Sequence, residues 1–142
     1  MLARIEEELG RGPDVSIITI VNVLIEYAAS LRASDIHIDP LEGALRIRFR
    51  IDGVLQDIEN LPKNIHAEVI ARIKVLSGLR TDEHQAAQDG RLRYLSETSG
   101  PIDIRVSITP SYFGENVVLR LLSDTAEQFA LDTLGFSPAD RE

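Results

Sequence analysis

Residues 45–55 have the sequence LRIRFRIDGVL, which contains the clearest strand and turn signals in the chain. Its apolar residues alternate with Arg46, Arg48 and Arg50, which is the period of a β-strand with one buried face and one polar face. Asp52-Gly53 then predicts a tight hairpin turn. A second strand would return beside the first after this turn. The stretch therefore predicts an antiparallel hairpin in which one strand carries three arginines on one face.

The flanking sequence predicts two amphipathic helices and further strands. Apolar residues recur at helical spacing as far as Leu31, after an N-cap at Asp14 or Ser16. A second helix is predicted from Pro62 to about Ser77, with Gly78 as its C-terminal cap. Strands are predicted at residues 35–40, 91–95, 102–109 and 116–122. This order predicts an α+β fold with a mostly antiparallel sheet and helices on one face, although helices on both faces also fit.

The two ends of the chain are predicted to lie outside this domain. Residues 1–13 are expected to form a short polar helix and a linker, because Gly10 to Pro13 form the clearest break in the sequence. Residues 14–125 would form the domain, and residues 126–142 resemble the start of a further element. The total of 142 residues is about the length of one domain.

The composition excludes several classes of protein. Cysteine is absent, so neither a disulfide framework nor a thiolate metal site is expected. No run approaches the roughly 18 apolar residues that a membrane span needs, and a cytoplasmic protein is expected. The net charge of -8 disfavours nucleic-acid binding, which depends on cations that meet phosphates.

Motifs for self-contained catalysis are absent from the sequence. It contains no G-x-x-x-x-G-K-[ST] phosphate-binding loop and no G-x-S-x-G nucleophile elbow. His37 alternates onto one strand face with Asp35 and Asp39, but one histidine and two aspartates on a single strand are a weak metal signal beside a packing or solvent-facing role. Neither a catalytic residue nor a metal ligand is therefore predicted.

The three arginines of the predicted hairpin need a negative partner. Same-face residues of a strand are about 6–7 Å apart, so three like charges repel one another. The partner could be carboxylates of a neighbouring strand, or a phosphate or acidic surface of another domain, and the sequence leaves both readings open. Arg105 shares the polar face of its strand with Asp103 and Ser107, and could join the same surface or neutralise these neighbours. Further cations are predicted on strand faces at Arg91, Arg93 and Arg120.

Six ordered blocks resemble one family, the type II secretion and type IV pilus-assembly ATPases. The resemblance covers residues 15–138, nearly the whole chain. The blocks are ASDIHIDP (33–40), RFRIDGVL (48–55), RIKVLSGL (72–79), QDGR (88–91), DIRVS (103–107) and GENVVLRLL (114–122). One stretch departs from the family pattern, because His84, Gln85 and Ala87 stand where the family has Lys, Arg and Pro. This departure puts a role for that basic stretch in doubt here.

The resemblance implies a PAS-like domain that precedes a RecA-like motor domain, with the present chain a fragment of a longer protein. Six subunits would form a ring, in which the arginines of this domain reach toward ATP held by a motor domain. Arg48 best matches the nucleotide-facing arginine of the family. Arg50, Arg91, Arg105 and Arg120 match further basic positions.

The same resemblance sets expectations for activity and partners. The fragment would not be an enzyme, whereas the full-length parent would be an ATPase that binds ATP and Mg²⁺. Its partners would be the motor domains of its own and the adjacent subunit in a homohexamer, and inner-membrane secretion or pilus platform proteins. It would be cytoplasmic and peripheral to the inner membrane. The alternative is a stand-alone PAS-like module for ligand sensing or protein interaction.

Overall fold

A computed structural model of the chain describes residues 16–123, which form two helices and six strands. The predicted domain of residues 14–125 contains this range, while the predictions for residues 1–13 and 126–142 concern parts of the chain outside it. The elements in chain order are helix α1 (Ile17–Ser30), strands β1 (Asp35–Pro40), β2 (Ala44–Ile51) and β3 (Val54–Pro62), a 3-10 turn (Lys63–Ile65), helix α2 (His66–Leu76), and strands β4 (Gln88–Ser96), β5 (Gly100–Ser111) and β6 (Gly114–Ser123).

The six strands form one antiparallel sheet in the order β3-β2-β1-β6-β5-β4. The hairpin predicted from residues 45–55 is confirmed, and its turn residues Asp52 and Gly53 have φ of 53° and 81°, as a type I′ turn requires. Strands β4, β5 and β6 are longer than predicted. The antiparallel ladder continues through the polar residues near the strand ends. For example, Gln88 of β4 pairs with Ile108 of β5, and Ser111 of β5 pairs with Gly114 of β6.

Helix α1 begins at one of the two predicted caps. The Ser16 side chain accepts a hydrogen bond from the Thr19 amide at 3.2 Å, which satisfies one of the free donors of the first turn. The side of α1 that faces the sheet is buried, whereas Ile18 is 50% exposed; the buried residues are Ile20, Val21, Val23, Leu24, Ile25 and Ala28.

Helix α2 begins later than predicted. Pro62 has the extended φ and ψ of -59° and 139° and pairs with Ala44 as the last residue of β3. Proline fits there because β3 is an edge strand, where a missing amide donor costs no ladder bond. The chain then makes the 3-10 turn before the α-helix starts at His66. At the other end Gly78 has φ of 71°, which confirms the predicted C-terminal cap.

Both helices pack on the same face of the sheet. A single cluster of buried side chains joins α1 and α2 to Ile36, Phe49, Ile104 and Leu119 on four strands, and the Tyr27 ring of α1 meets the Phe49 ring edge to face at 5.7 Å. No element among residues 16–123 covers the opposite face. The predicted α+β class is confirmed with helices on one face, while the PAS-like character stays a prediction.

Candidate functional site: an arginine-rich face of the sheet

All seven arginines of the six described strands lie on the face of the sheet opposite the helices. Strand alternation directs the side chains of Leu45, Ile47 and Phe49 into the core and the intervening arginines to the other face. The same alternation applies to β4, β5 and β6. We call this surface the arginine face, and its arginines are Arg46, Arg48, Arg50, Arg91, Arg93, Arg105 and Arg120.

Four of the five predicted site arginines lie in one row across five strands. Arg91 of β4 pairs in register with Arg105 of β5, which pairs with Arg120 of β6. Arg120 in turn pairs with Asp35 of β1, and Asp35 with Arg50 of β2. This row therefore brings four arginines and a single aspartate together from distant parts of the chain.

Asp35 is shared by the two arginines that flank it in this row. One carboxylate oxygen lies 3.2 Å from Arg50 Nε and the other 3.3 Å from Arg120 Nε. The Asp35 side chain is only 6% exposed, whereas that of Arg120 is 65% exposed. A single buried carboxylate thus orients two guanidinium groups whose outer edges still face solvent.

Asp39, four residues further along β1 on the same face, is also shared by two arginines, but through a single oxygen. Its Oδ2 lies 2.7 Å from Arg48 Nη2 and 3.6 Å from Arg46 Nη2. Arg48, the fifth predicted site residue, pairs in register with His37. All three β2 arginines therefore have a carboxylate of the neighbouring strand as a partner, which was one of the two predicted possibilities. With Arg120, however, four arginines share only two aspartates.

Arg91 and Arg105 are different, because neither forms an ion pair with any residue from 16 to 123. The two acids nearest in register are used elsewhere: Asp103 lies 3.1 Å from Arg93 Nε, and Asp89 accepts a hydrogen bond from Ser107 at 2.8 Å. Arg105 thus pairs with neither of its same-strand neighbours, because Asp103 pairs with Arg93 and Ser107 donates to Asp89. Like charges placed directly opposite across two strands destabilise a sheet, and no carboxylate among residues 16–123 forms an ion pair with either of these arginines.

His37 lies among these charges and is biased toward its neutral form. Burial lowers its pKa below the ordinary value of 6.5, and the nearby guanidinium groups of Arg48 and Arg50 lower it further, while Asp39 and Asp35 raise it. Both aspartates that share its strand are held by arginines. No group of three or more His, Cys, Asp or Glu within residues 16–123 is placed to hold a metal ion.

Two clefts lie on opposite sides of the sheet. An open depression of about 520 Å³ on the arginine face is lined by Arg91, Arg93, Arg105 and Asp103, together with Leu92, Ile104 and Leu122. The second, of about 480 Å³, lies beside α2 on the helix side and is lined by His66, Ala67, Ile70, Ala71, Lys74, Thr81, His84, Gln85, Pro110, Ser111, Tyr112, Gly114 and Glu115.

Sequence reasoning missed a buried ion pair that borders this second cleft. Lys74 is fully buried, and its Nζ lies 3.0 Å from Glu115 Oε1. Two signals could have found the pair. Lys74 follows Ile70 by four residues, which places it on the buried stripe of α2, and Glu115 precedes Val117 by two, which places it on the core face of β6.

The described part of the chain contains no helix that is both long and apolar enough to cross a membrane. This observation concerns residues 16–123 alone.

Sequence comparison relates the chain to proteins of secretion and pilus assembly. The family described as type II/IV secretion system protein matches residues 11–142. The type II secretion system protein E of Xanthomonas campestris pv. campestris is 43% identical over 124 residues, which are 87% of this chain and 22% of that protein. The type IV pilus assembly ATPase PilB of Myxococcus xanthus is 36% identical over 132 residues, which are 93% of this chain and 23% of that protein. The chain therefore spans less than a quarter of the length of either relative.

Solved structures share the fold. The Legionella pneumophila ATPase DotB superposes with a TM-score of 0.51 over 73% of this chain and 29% of the DotB chain, at 22% identity. The pilus retraction motor PilT with bound ADP has the same TM-score and coverage at 19% identity. At these identities the likeness concerns the fold alone.

Proposed function

Because this chain belongs to the type II/IV secretion system protein family, as its sequence blocks predicted, we propose that it is the regulatory, ring-forming N-terminal domain of a secretion or pilus-assembly ATPase. In this proposal the arginine face is directed at ATP that a motor domain holds. The observation that carries the proposal is the row of four arginines with one aspartate, in which Arg91 and Arg105 have no carboxylate among the described residues.

Arginine suits a phosphate better than any other side chain on this face. Its planar guanidinium presents parallel donors that match two phosphate oxygens, and it keeps its charge at every physiological pH. The shared aspartates hold Arg48, Arg50 and Arg120 in fixed directions before any anion arrives. Donors that are oriented in advance need little reorganisation when charge develops on a transferring phosphoryl group.

The same charges offer a way to couple nucleotide state to domain position. While the γ-phosphate is present, it neutralises the repulsion among the arginines and attracts the face to the motor domain. After hydrolysis and phosphate release that attraction falls, and the balance shifts toward a different arrangement of the two domains. In this proposal Arg48 leads the contact, with Arg50, Arg91, Arg105 and Arg120 in support.

The wider expectations from the family are part of the same proposal. ATP and Mg²⁺ would be bound by the motor domain of the full-length parent. The partners would be motor domains of the same and the adjacent subunit in a homohexamer, and inner-membrane platform proteins. The alternative is a stand-alone PAS-like module for ligand sensing or protein interaction, which a deep apolar pocket with convergent polar groups would favour. The open depression lined by Arg91, Arg93 and Arg105 favours the ATPase domain instead.

The test uses the parent protein with its motor domain. Arg48→Ala and Arg105→Ala should each lower the ATPase kcat at least about tenfold, which corresponds to a loss of roughly 1.4 kcal/mol of transition-state stabilisation. The control is Arg80→Ala, because Arg80 lies outside the arginine face, between α2 and β4, is 70% exposed and has its guanidinium 3.8 Å from Glu83. Thermal unfolding should confirm that all three variants fold. Unchanged ATPase activity in folded Arg48→Ala and Arg105→Ala proteins would refute the proposal.

A further inference from the structure

The buried ion pair between α2 and β6 has a structural consequence for the arginine face. The Lys74 and Glu115 side chains are 1% and 8% exposed, so both charges have been removed from water. Two apolar residues of similar size often stabilise a protein as well as, or better than, such a pair. Stability alone therefore does not account for the pair, and its remaining contacts show what it holds in place.

These remaining contacts converge on the α2–β4 segment, which comprises residues 78–87. Lys74 Nζ donates to the Glu83 carbonyl at 2.6 Å, and His84 Nδ1 lies 2.9 Å from Glu115 Oε1. The Glu83 carboxylate accepts hydrogen bonds from the amides of Gln85 and Ala86, which lower its pKa and keep it ionised. Each residue of the ion pair thus contacts the middle of the segment: Lys74 contacts Glu83, and Glu115 contacts His84.

The segment in turn holds the start of β4. The Gln88 side chain accepts from the Arg80 amide at 3.0 Å and donates to the Arg80 carbonyl at 3.1 Å. Gly90 packs so closely against the C-terminal end of α2 and the start of the segment that a Cβ there would lie 2.8 Å from the Ser77 carbonyl oxygen and 2.9 Å from Leu79 Cδ2. Both contacts come immediately before Arg91.

Strand β4 needs such support because it is an edge strand that pairs only with β5. Its Arg91 lies directly opposite Arg105, and neither has a carboxylate partner in residues 16–123. Repulsion between the two cations favours separation of the strands at this point. In addition to its ladder with β5, the start of β4 is restrained from the helix side, through Gln88 and Gly90.

We propose that Lys74 and Glu115 are positioning residues: their buried ion pair fixes the α2–β4 segment and so keeps Arg91 beside Arg105 on the arginine face. The coupling between the ion pair and β4 stands independently of any ligand. Its consequence for an anion rests on the proposed function.

The coupling is tested by amide hydrogen exchange on the present chain. The double variant Lys74→Met/Glu115→Gln removes both charges together, so no single buried charge is left unpaired. Amides of residues 88–92 that bond to β5 should exchange at least about tenfold faster than in the unmutated chain. Amides of β1 and β2 should change little. The matched control is Lys63→Met, which removes a lysine that donates only to the carbonyls of Leu41 and Phe113, away from β4.

Two results would overturn the inference. One is an exchange rate at residues 88–92 no faster than in Lys63→Met. The other is equal acceleration throughout the sheet, which would reveal a loss of global stability without selective release of β4.

The consequence for an anion is tested with inorganic triphosphate as the probe. If the ion pair acts through Arg91, Lys74→Met/Glu115→Gln and Arg91→Ala should raise the dissociation constant by similar factors. Their combination should raise it no further, which is the non-additivity expected of residues acting as a unit. Independent, multiplying losses would contradict positioning through Arg91. Absence of triphosphate binding by the unmutated chain would count against the proposed function, and the exchange experiment would then decide the coupling by itself.

Discussion

Asp35 and Asp39 determine how much of the arginine face is available to an outside anion. Each carboxylate bears one charge but is shared by two guanidinium groups, so the four arginines around them keep an excess of positive charge. Because both aspartates lie beneath their partners, they orient the guanidinium groups without covering them. The two aspartates thus contact some of the N–H groups of these arginines, and the remaining N–H groups can bind water or an outside anion.

The partly buried His37 makes the stability of the fold depend on pH. Since burial lowers its pKa in the folded chain, the unfolded chain takes up the proton more readily as pH falls below about 6.5. His37 therefore costs no stability well above that pH, and its destabilising effect is complete once the pH lies below the folded-state pKa. We expect the free energy of unfolding to fall less between about pH 7.5 and pH 5.5 in His37→Asn than in the unmutated chain. Urea denaturation at both pH values measures this, and equal losses would contradict it.

At the scale of the element, the α2–β4 segment shows how an irregular stretch can position a strand. It contains no regular secondary structure, yet hydrogen bonds and close packing connect it to α2, to β6 and to the first residues of β4. The sequence departure from the family lies in this segment. His84, which stands at the position of the family's lysine, contacts the buried Glu115.

A substitution at Gly90 tests how tightly β4 packs against the end of α2 and the start of the segment. Replacement with alanine would place a Cβ 2.8 Å from the Ser77 carbonyl oxygen and 2.9 Å from Leu79 Cδ2. Such overpacking against backbone typically costs about 1–3 kcal/mol, so Gly90→Ala should lower the free energy of unfolding by that amount. The control is Gly43→Ala, whose Cβ would meet no atom within 4 Å. Urea denaturation compares the two, and similar stabilities for both variants would show that the approach of α2 to β4 is not tight.

In the described domain, the hydrophobic core and the proposed anion-binding surface lie on opposite faces of one sheet. The core lies entirely on the helix side, where α1 and α2 meet the apolar faces of the strands. Substitutions on the arginine face should therefore change anion contacts more than they change the core. This separation is what makes the ATPase variants interpretable.

Phe49 tests the core at this scale. Its side chain is fully buried at the centre of β2, against the Tyr27 ring of α1. Phe49→Ala should reduce the free energy of unfolding by about 3–5 kcal/mol, because buried apolar area is lost and a cavity is left. Leu95→Ala is the control, since Leu95 is 75% exposed and should change stability by no more than about 0.5 kcal/mol. A small loss in Phe49→Ala would mean that helix α1 does not pack on β2 as described.

Local patterns in the sequence were enough to predict the β2–β3 hairpin and the strand faces on which the arginines lie, and they narrowed the cap of α1 to Asp14 or Ser16. Those features depend on period and on turn chemistry, which involve only neighbouring residues. The late start of α2 was missed because the extended backbone of Pro62 is set by its pairing with Ala44, and this pairing is a tertiary contact.

Which charged side chains pair with each other depends on the tertiary structure. Asp35 lies between Arg50 and Arg120 because β1 is placed between β2 and β6, and Arg120 is 85 residues away along the chain. Alternation predicts the face on which a side chain lies, but strand order and register decide its neighbour, and both depend on contacts between distant segments. The same reason hid the Lys74–Glu115 pair, whose members are 41 residues apart.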